Sequence, residues 1–336
     1  MAKIVFFEVE DWEKKYIEGA LSQYQPVLTT EKLEDATVSK YQDAEIISTF
    51  IYSTLTKEVL EKLPNLKFIA TRSMGFDHID ITTCKEKGII VSNVPTYGAH
   101  TVAEHTFALI LAVSRKIIPS VERAKRGDFS SVGLTGFDLS GKTLGVIGTG
   151  HIGKNVCELG VAFGMKVLAF CHHTDPDLTA KGVSFVALDE LLANADIVSL
   201  HLPHNSETEH IINKSNIGKF KKGAILINTA RGALVETQAI LTGLEKGILA
   251  GAGLDVLEEE NALKEEREFL ASEHIAKGDI QTELLDHILL DRNDVVITPH
   301  NAFNSIEALQ EILETSLGNV KSFLNKAPVN IVEQNL

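Results

Sequence analysis

The stretch Thr143-Leu-Gly-Val-Ile-Gly148-Thr-Gly150-His151-Ile152-Gly153-Lys154 decides the fold. An apolar run leads into Gly148-x-Gly150-x-x-Gly153, an apolar helical face follows, and a further apolar, strand-like run occupies 167–170. In that strand–turn–helix–strand context a glycine pattern reads as a dinucleotide site rather than a simple connection. Gly148 permits the tight turn, and Gly150 lets backbone N–H groups approach a pyrophosphate. Gly153 allows close helix–strand packing, and the helix N-terminus is aimed at the phosphates.

Outward from this turn the same alternation continues. Short apolar runs at 4–9, 27–30, 46–49, 68–71 and 89–93 precede it, and 197–202, 225–228, 252–256 and 295–298 follow, with helical periodicity between them. Strands that are apolar on both faces belong to parallel sheets covered on each side, which is an α/β protein. Two doubly wound parallel sheets are expected. The first five strands end at one long helix over 101–125, and a glycine-bounded break at 136–141 precedes a new series. A final helix over 305–323 is expected to return to the first domain. The domains are then 1–101 with 302–336, and 102–301. The charged stretch 257–293 is longer than an ordinary loop, and its Leu, Ile and Phe residues suggest short helices.

Composition narrows the function. The chain has 336 residues, 44% of them hydrophobic, and a formal net charge of -14, which argues against a nucleic-acid partner. Its three cysteines, Cys84, Cys157 and Cys171, form neither a disulfide framework nor a metal-ligand spacing. The apolar run at the start is too short for a signal peptide, and no stretch reaches membrane-span length. A soluble, cytoplasmic protein without a metal site is the expectation.

One part of the dinucleotide fingerprint departs from the usual form. The strand over 167–170 should end in Asp or Glu to hold the ribose hydroxyls, and here Cys171, His172 and His173 follow. Loss of the acid removes a repulsion against the 2′-phosphate of NADP. In chain order, however, no Arg or Lys occurs before Lys181 to bind that phosphate, and Asp175 and Asp177 oppose it. The cofactor expectation is NAD, with NADP left open.

Three further segments carry a family resemblance: Asn228-Thr-Ala-Arg231-Gly232, Gly253-Leu-Asp255-Val-Leu-Glu-Glu-Glu260 and Thr298-Pro-His300-Asn-Ala-Phe303. In this order they resemble the signature of the D-isomer-specific 2-hydroxyacid dehydrogenases. TRSMGFDHID at 71–80, VPTYGAHTVAEHTFAL at 94–109 and SLHLP at 199–203 match as well. The PHNAF segment and the long insert after Glu260 look most like the D-lactate dehydrogenase branch. The resemblance implies two Rossmann-like domains, one flavodoxin-like and one NAD-binding, with a cleft between them. It also implies a homodimer built on the cofactor domain.

The chemistry of a 2-keto acid explains the residue types. A guanidinium grips a carboxylate through two parallel hydrogen bonds, and Arg231 stands at a strand's carboxyl end for that purpose. His300 is the general acid for the carbonyl oxygen in reduction and the base in oxidation. Glu260 would orient the imidazole and favour its charged form, with Glu258 and Glu259 as alternatives in the same run. The resemblance puts the substrate carboxylate on the Met74–Gly75 backbone, Tyr97 over the substrate and Phe303 near its side chain. It puts His151 and Ile152 on the pyrophosphate, and Leu202, Pro203, Thr208, Thr229, Ala230 and Asp255 along the cofactor, with Cys171 and His172 at its ribose. For Tyr97 and Phe303 ordinary packing remains an equal reading.

The expected reaction is reduction of pyruvate or a bulkier 2-keto acid by NADH. The alternatives are a glyoxylate or hydroxypyruvate reductase, a phosphite dehydrogenase, and a non-catalytic, NAD(H)-sensing corepressor-like protein.

Overall fold

Apolar runs that are buried on both faces become parallel strands throughout the chain. The computed structural model describes residues 2–258 and 277–332. Contacts divide the chain into two units, Met1–Gly98 with Ser305–Leu336, and Ala99–Asn304. The fold is α/β, with one parallel sheet in each unit, flavodoxin-like in the first and of Rossmann type in the second.

In the first unit β1 (Ile4–Phe6), β2 (Val27–Leu28), β3 (Ile46–Thr49), β4 (Phe68–Thr71) and β5 (Ile90–Ser92) form a sheet of order β2-β1-β3-β4-β5. All pairs are parallel. Helices α1 (Asp11–Ala20), α2 (Lys57–Glu61) and α3 (Ile81–Lys87) connect them. Every residue of β3 and β4 is buried, as a sheet covered on both faces requires. The strand expected over 4–9 stops at Phe6. At Glu8 the backbone enters the left-handed region (φ 54), and its N–H donates to the Glu31 carbonyl instead of continuing the ladder.

The second unit opens with α4 (Ala99–Ser114) and α5 (Ile117–Lys125). These replace the single helix expected over 101–125. Lys116 takes a left-handed conformation (φ 51), and the Ser114 carbonyl accepts the Phe137 N–H at 3.1 Å. A Cβ at Gly136 would lie 2.2 Å from that carbonyl, so the glycine lets the 136–137 segment capture the helix end. Strands β6 (Thr143–Ile147), β7 (Lys166–Phe170), β8 (Ser184–Phe185), β9 (Ile197–Leu200), β10 (Ala224–Asn228), β11 (Leu249–Leu254) and β12 (Val295–Ile297) then build a sheet of order β12-β11-β10-β9-β6-β7-β8. The crossovers include α6 (His151–Ala162), α7 (Pro176–Ala180), α8 (Leu188–Asn194), α9 (Thr237–Glu245) and α10 (Lys277–Leu290). Strand β8 was not anticipated, because two residues carry no periodicity. The glycines of β11 admit α4: a Cβ at Gly253 would meet Leu109 Cβ at 3.0 Å.

The last helix, α11 (Ile306–Leu324), belongs to the first unit. Ser305 caps it by accepting the Ala308 N–H. Leu313, Leu317 and Val320 are buried against Ile4, Phe6, Ile46 and Phe68, and Phe323 stacks on Phe68 with centroids 4.4 Å apart. Each such aliphatic side chain contributes about 1.5–3 kcal/mol of burial.

Candidate active site

The candidate residues of the second unit gather at the carboxyl edge of its sheet. After β6, Gly148 adopts φ +94, and a Cβ there would lie 2.6 Å from the His201 carbonyl and 2.8 Å from Leu202 Cδ2. A Cβ at Gly153 would lie 1.9 Å from the Gly148 carbonyl, so the start of α6 presses directly on the turn. A Cβ at Gly150, which caps α6, would meet nothing within 4 Å. The turn is therefore closed where it packs and open where the helix N-terminus faces out, beside exposed His151 and half-buried Ile152. That shape and polarity suit a pyrophosphate. Behind the turn, His201 donates to or accepts from Ser199 Oγ at 2.8 Å, and burial pushes its pKa down to about 3. A neutral imidazole there adds no charge to the phosphate side.

After β7, Cys171 Sγ donates to the His173 carbonyl at 2.8 Å, and His172 is exposed. The fold also brings Lys154, from the first turn of α6, to 2.9 Å from Asp175 and 3.5 Å from Asp177. Reading in chain order missed this cation. Hydrogen bonding to Asp175 raises the Lys154 pKa, and the same bond lowers that of Asp175. After β9, the Thr208 hydroxyl donates to the Pro203 carbonyl at 2.6 Å and accepts the Asn205 N–H at 2.9 Å, closing the 203–208 loop on itself.

The turns after β10, β11 and β12 are tied into one piece. Asn228 donates its side-chain amide to the Arg231 carbonyl at 2.8 Å and accepts the Ala230 N–H at 3.0 Å, which folds 228–231 into a tight turn. Arg231 Nη1 donates to the Ala230 carbonyl at 2.8 Å. Gly232 must be small, because a Cβ would lie 1.9 Å from the Leu257 carbonyl. The Asp255 N–H donates to the Asn228 carbonyl at 2.9 Å. Asp255 itself, 1% exposed, accepts the Thr298 hydroxyl and the N–H groups of Asn301 (2.8 Å) and Ala302 (2.9 Å). The His300 N–H donates to the Asp255 carbonyl at 2.9 Å. His300 is thus held on both sides by one buried carboxylate, in a left-handed conformation (φ 50) that few non-glycine residues adopt. The half-buried Phe303 follows directly on Ala302.

Two residues of α4 complete this network. His105 Nε2 lies 3.1 Å from Thr298 Oγ1 and 3.5 Å from Asp255, and Thr106 Oγ1 lies 2.9 Å from Thr229 Oγ1. Neither was singled out from the sequence, although VAEHTFAL had been matched as a motif. Glu260 and Glu259 lie outside the described residues. Glu258 has both oxygens engaged, one by His210 Nε2 at 2.6 Å and one by the Thr237 N–H at 2.9 Å.

Met74, Gly75 and Tyr97 belong to the first unit. The Met74 carbonyl accepts the Asn93 side-chain amide at 2.7 Å, and the Gly75 carbonyl accepts the Ser73 hydroxyl at 2.6 Å. Both carbonyls are drawn back, and among the described residues neither N–H donates to a partner. Tyr97 is half-buried beside Gly98. No group of three or more His, Cys, Asp or Glu among the described residues could hold a metal ion, and no described helix is long and apolar enough to cross a membrane.

Residues 107–302 match the model of the D-isomer-specific 2-hydroxyacid dehydrogenase NAD-binding domain. The chain belongs to the D-isomer-specific 2-hydroxyacid dehydrogenase family. This dehydrogenase is accordingly an oxidoreductase that uses NAD(H) on a 2-keto or 2-hydroxy acid. It is 36% identical to a 2-hydroxyacid dehydrogenase A of Aspergillus oryzae over 96% of the chain and 93% of that protein. A hydroxypyruvate reductase of Blautia hydrogenotrophica is 33% identical over 96% of the chain and 95% of that protein. Among solved structures, the D-lactate dehydrogenase of Aquifex aeolicus, in complex with NAD and lactic acid, superposes with a TM-score of 0.87. It is 38% identical and covers 97% of the chain and 96% of its own.

Proposed function

We propose that this dehydrogenase reduces pyruvate to D-lactate with NADH, as the Aquifex relative's lactate and NAD suggest. The observation that carries the reading is the buried Asp255, which anchors the backbone on both sides of His300 and ties it to the Arg231 turn. Such immobilisation suits a general acid that must meet one carbonyl oxygen in one geometry. The second unit, expected over 102–301 and observed as Ala99–Asn304, is then the dinucleotide-binding domain, and the first, expected over 1–101 with 302–336, the substrate domain.

In this mechanism the reduced nicotinamide supplies the hydride. Arg231 grips the substrate carboxylate, and the withdrawn carbonyls of Met74 and Gly75 leave their N–H groups to share it. His300 gives its proton to the carbonyl oxygen as the alcohol forms, and takes it back in the oxidative direction. Glu260, outside the described residues, is assigned to orienting that imidazole. Tyr97 and Phe303 wall the substrate. Gly148, Gly150, His151, Ile152 and Gly153 cradle the pyrophosphate. Cys171 and His172 stand at the ribose, and Leu202, Pro203, Thr208, Thr229, Ala230 and Asp255 line the rest. NAD is the preferred cofactor, because Lys154 is already paired with Asp175 and Asp177.

This reading includes a cytoplasmic location and a homodimer, and the surface of the second unit supports the dimer. Ile117, Ile118 and Val121 are exposed on α5, and Phe129 and Val132 are 87% and 80% exposed just after it. They flank a groove of about 770 Å³ lined by Val113, Arg123, Leu134, Arg292 and Val296. A second copy would cover this apolar arm.

Nicotinamide absorbance during turnover tests the reading, with NADH and NADPH each offered pyruvate, glyoxylate, hydroxypyruvate and a branched 2-keto acid. Fastest NADH oxidation with pyruvate is the expected result. Preference for hydroxypyruvate would move the assignment to the Blautia relative's activity. A protein that binds NADH but oxidises it with none of the acids would overturn it.

A further inference from the structure

At the carboxyl edge of the first unit's sheet, the chain leaves β1 through Glu8. Its left-handed φ of 54 is a conformation a glutamate gains nothing from by itself. The side chain accounts for it. One carboxylate oxygen accepts the Phe50 N–H, and the other accepts the Tyr52 N–H at 2.8 Å. The backbone of the same turn is held from the other side by Arg72, which is 2% exposed at the end of β4. Its guanidinium donates to the carbonyls of Phe7 (2.8 Å) and Glu8 (3.0 Å), and its Nε lies 3.4 Å from Glu13 on α1. Glu8 is therefore the middle of a brace that runs from β4 through β1 to the loop after β3.

That loop adjoins the Met74–Gly75 turn. Thr49 pairs with Thr71 across β3 and β4, the Arg72 N–H donates to the Thr49 carbonyl at 2.7 Å, and the Leu55 N–H donates to the His78 carbonyl at 2.8 Å. The loop carries two aromatic rings, Phe50 and Tyr52, 5.8 Å apart and edge to face, with Tyr52 exposed. β1 and β3 are also where the strand order of this sheet reverses direction, the crevice that parallel α/β sheets use for ligands.

We propose that Glu8 is a positioning residue for the keto acid: by clamping the Phe50 and Tyr52 backbone it fixes the aromatic wall beside the Met74–Gly75 turn. This rests on the reading of that turn as the carboxylate site. Burial raises the Glu8 pKa, against the Phe50 N–H, the charge of Arg72, the Ser53 hydroxyl and the Tyr52 N–H. The other charged groups around the brace are Arg72 from β4, and Glu10 and Glu13 from the start of α1. Glu31, whose carbonyl takes the Glu8 N–H, has its carboxylate bound to Lys40 and Tyr41. Protonated Glu8 would turn an O–H toward backbone N–H groups and release one of them. The clamp is thus intact above the raised pKa and lost as pH falls through it.

The test is steady-state kinetics with the keto acid that works best, from neutral to acidic pH, together with NADH titration, on wild type, Glu8→Gln and Glu8→Asp. Glu8→Gln is expected to raise KM about tenfold, the equivalent of one charge-assisted hydrogen bond, with kcat and the NADH Kd nearly unchanged. Wild-type KM should climb on acidification, and Glu8→Gln should lack that rise. Glu8→Asp, which keeps the charge on a shorter arm, should retain it with an intermediate KM. Wild-type KM in Glu8→Gln, or an acid rise that survives the substitution, overturns the proposal. If Glu8→Gln does not fold, a flat wild-type KM across the range overturns it, and a rise shifted in Glu8→Asp supports it. A wild type inactive with every keto acid sinks the activity reading and this proposal together; an active one with unaffected Glu8→Gln sinks the proposal alone.

Discussion

The turn after β6 and the turn after β1 occupy the same place in two doubly wound sheets and use opposite means. Each joins the first strand of its unit to the helix that follows, and each contains a left-handed residue, Gly148 at φ +94 and Glu8 at φ 54. After β6 the residue has no side chain, the next glycine opens on free space, and a helix N-terminus faces outward. After β1 the residue has a long charged side chain that grips the neighbouring loop. One turn is left open to a ligand's charge; the other carries a charge of the protein's own that braces the loop beside it. A left-handed turn at the head of a parallel sheet is therefore a geometric opportunity, and the side chain there decides whether a cofactor or a brace uses it.

If the second unit's edge holds the chemistry and the first unit's edge only places the substrate, the two must separate in kinetics. His300→Ala should lower kcat by about 100-fold or more, as loss of a general acid–base does, with NADH titration unchanged. The Glu8 substitution, by contrast, should appear in KM. A His300→Ala protein with normal kcat would erase the distinction and remove His300 from the reaction.

The glycine turn itself offers a second separation. Gly153→Ala drives a Cβ to 1.9 Å from the Gly148 carbonyl, a backbone clash that no rotamer relieves. It should cost on the order of 1–3 kcal/mol by overpacking, with Tm falling by about 2–4 °C per kcal/mol, and weaken NADH binding at the same time. Gly150→Ala meets nothing within 4 Å. It should leave Tm in place and weaken NADH alone, by about tenfold. Equal Tm losses in the two variants, read by calorimetry, would mean that the space at Gly150 is not reserved for a ligand.

The contrast between the turns also marks what the sequence made legible. Gly148, Gly150 and Gly153 stand at fixed spacing between two periodic elements, so turn, strand and helix can all be read from one window. The strands flanking the site are legible for a similar reason, since burial on both faces leaves runs of apolar residues. Glu8, Phe50, Arg72 and Glu13 are spread over four elements, and only pairing of β1, β3 and β4 unites them. His105 and Thr106 were hidden in another way, as polar residues on a helix otherwise read for its apolar face. The long helix over 101–125 failed because its break depends on Gly136, a residue well beyond the helix. Lys154 is not legible from the residues after β7, because only the fold brings it back from α6 to Asp175.

That last residue bears on the smallest predicted effect. Cys171 stands where a carboxylate would bind the ribose hydroxyls and repel a 2′-phosphate, and its thiol is turned onto the His173 carbonyl. Asp175 is the nearest acid in the loop, but it caps α7 and is paired with Lys154. Neither charge is free to discriminate strongly between the cofactors, so the native selectivity should be shallow. Cys171→Asp restores an unpaired carboxylate at the strand end and should raise the NADH over NADPH ratio of kcat/KM several-fold, about 1 kcal/mol in an exposed setting. Because the pair that holds Lys154 is untouched, the gain should come from weaker NADPH binding rather than faster chemistry. A shift toward NADPH in that variant would mean that the end of β7 does not face the ribose, and that the Lys154 cluster sets cofactor choice instead.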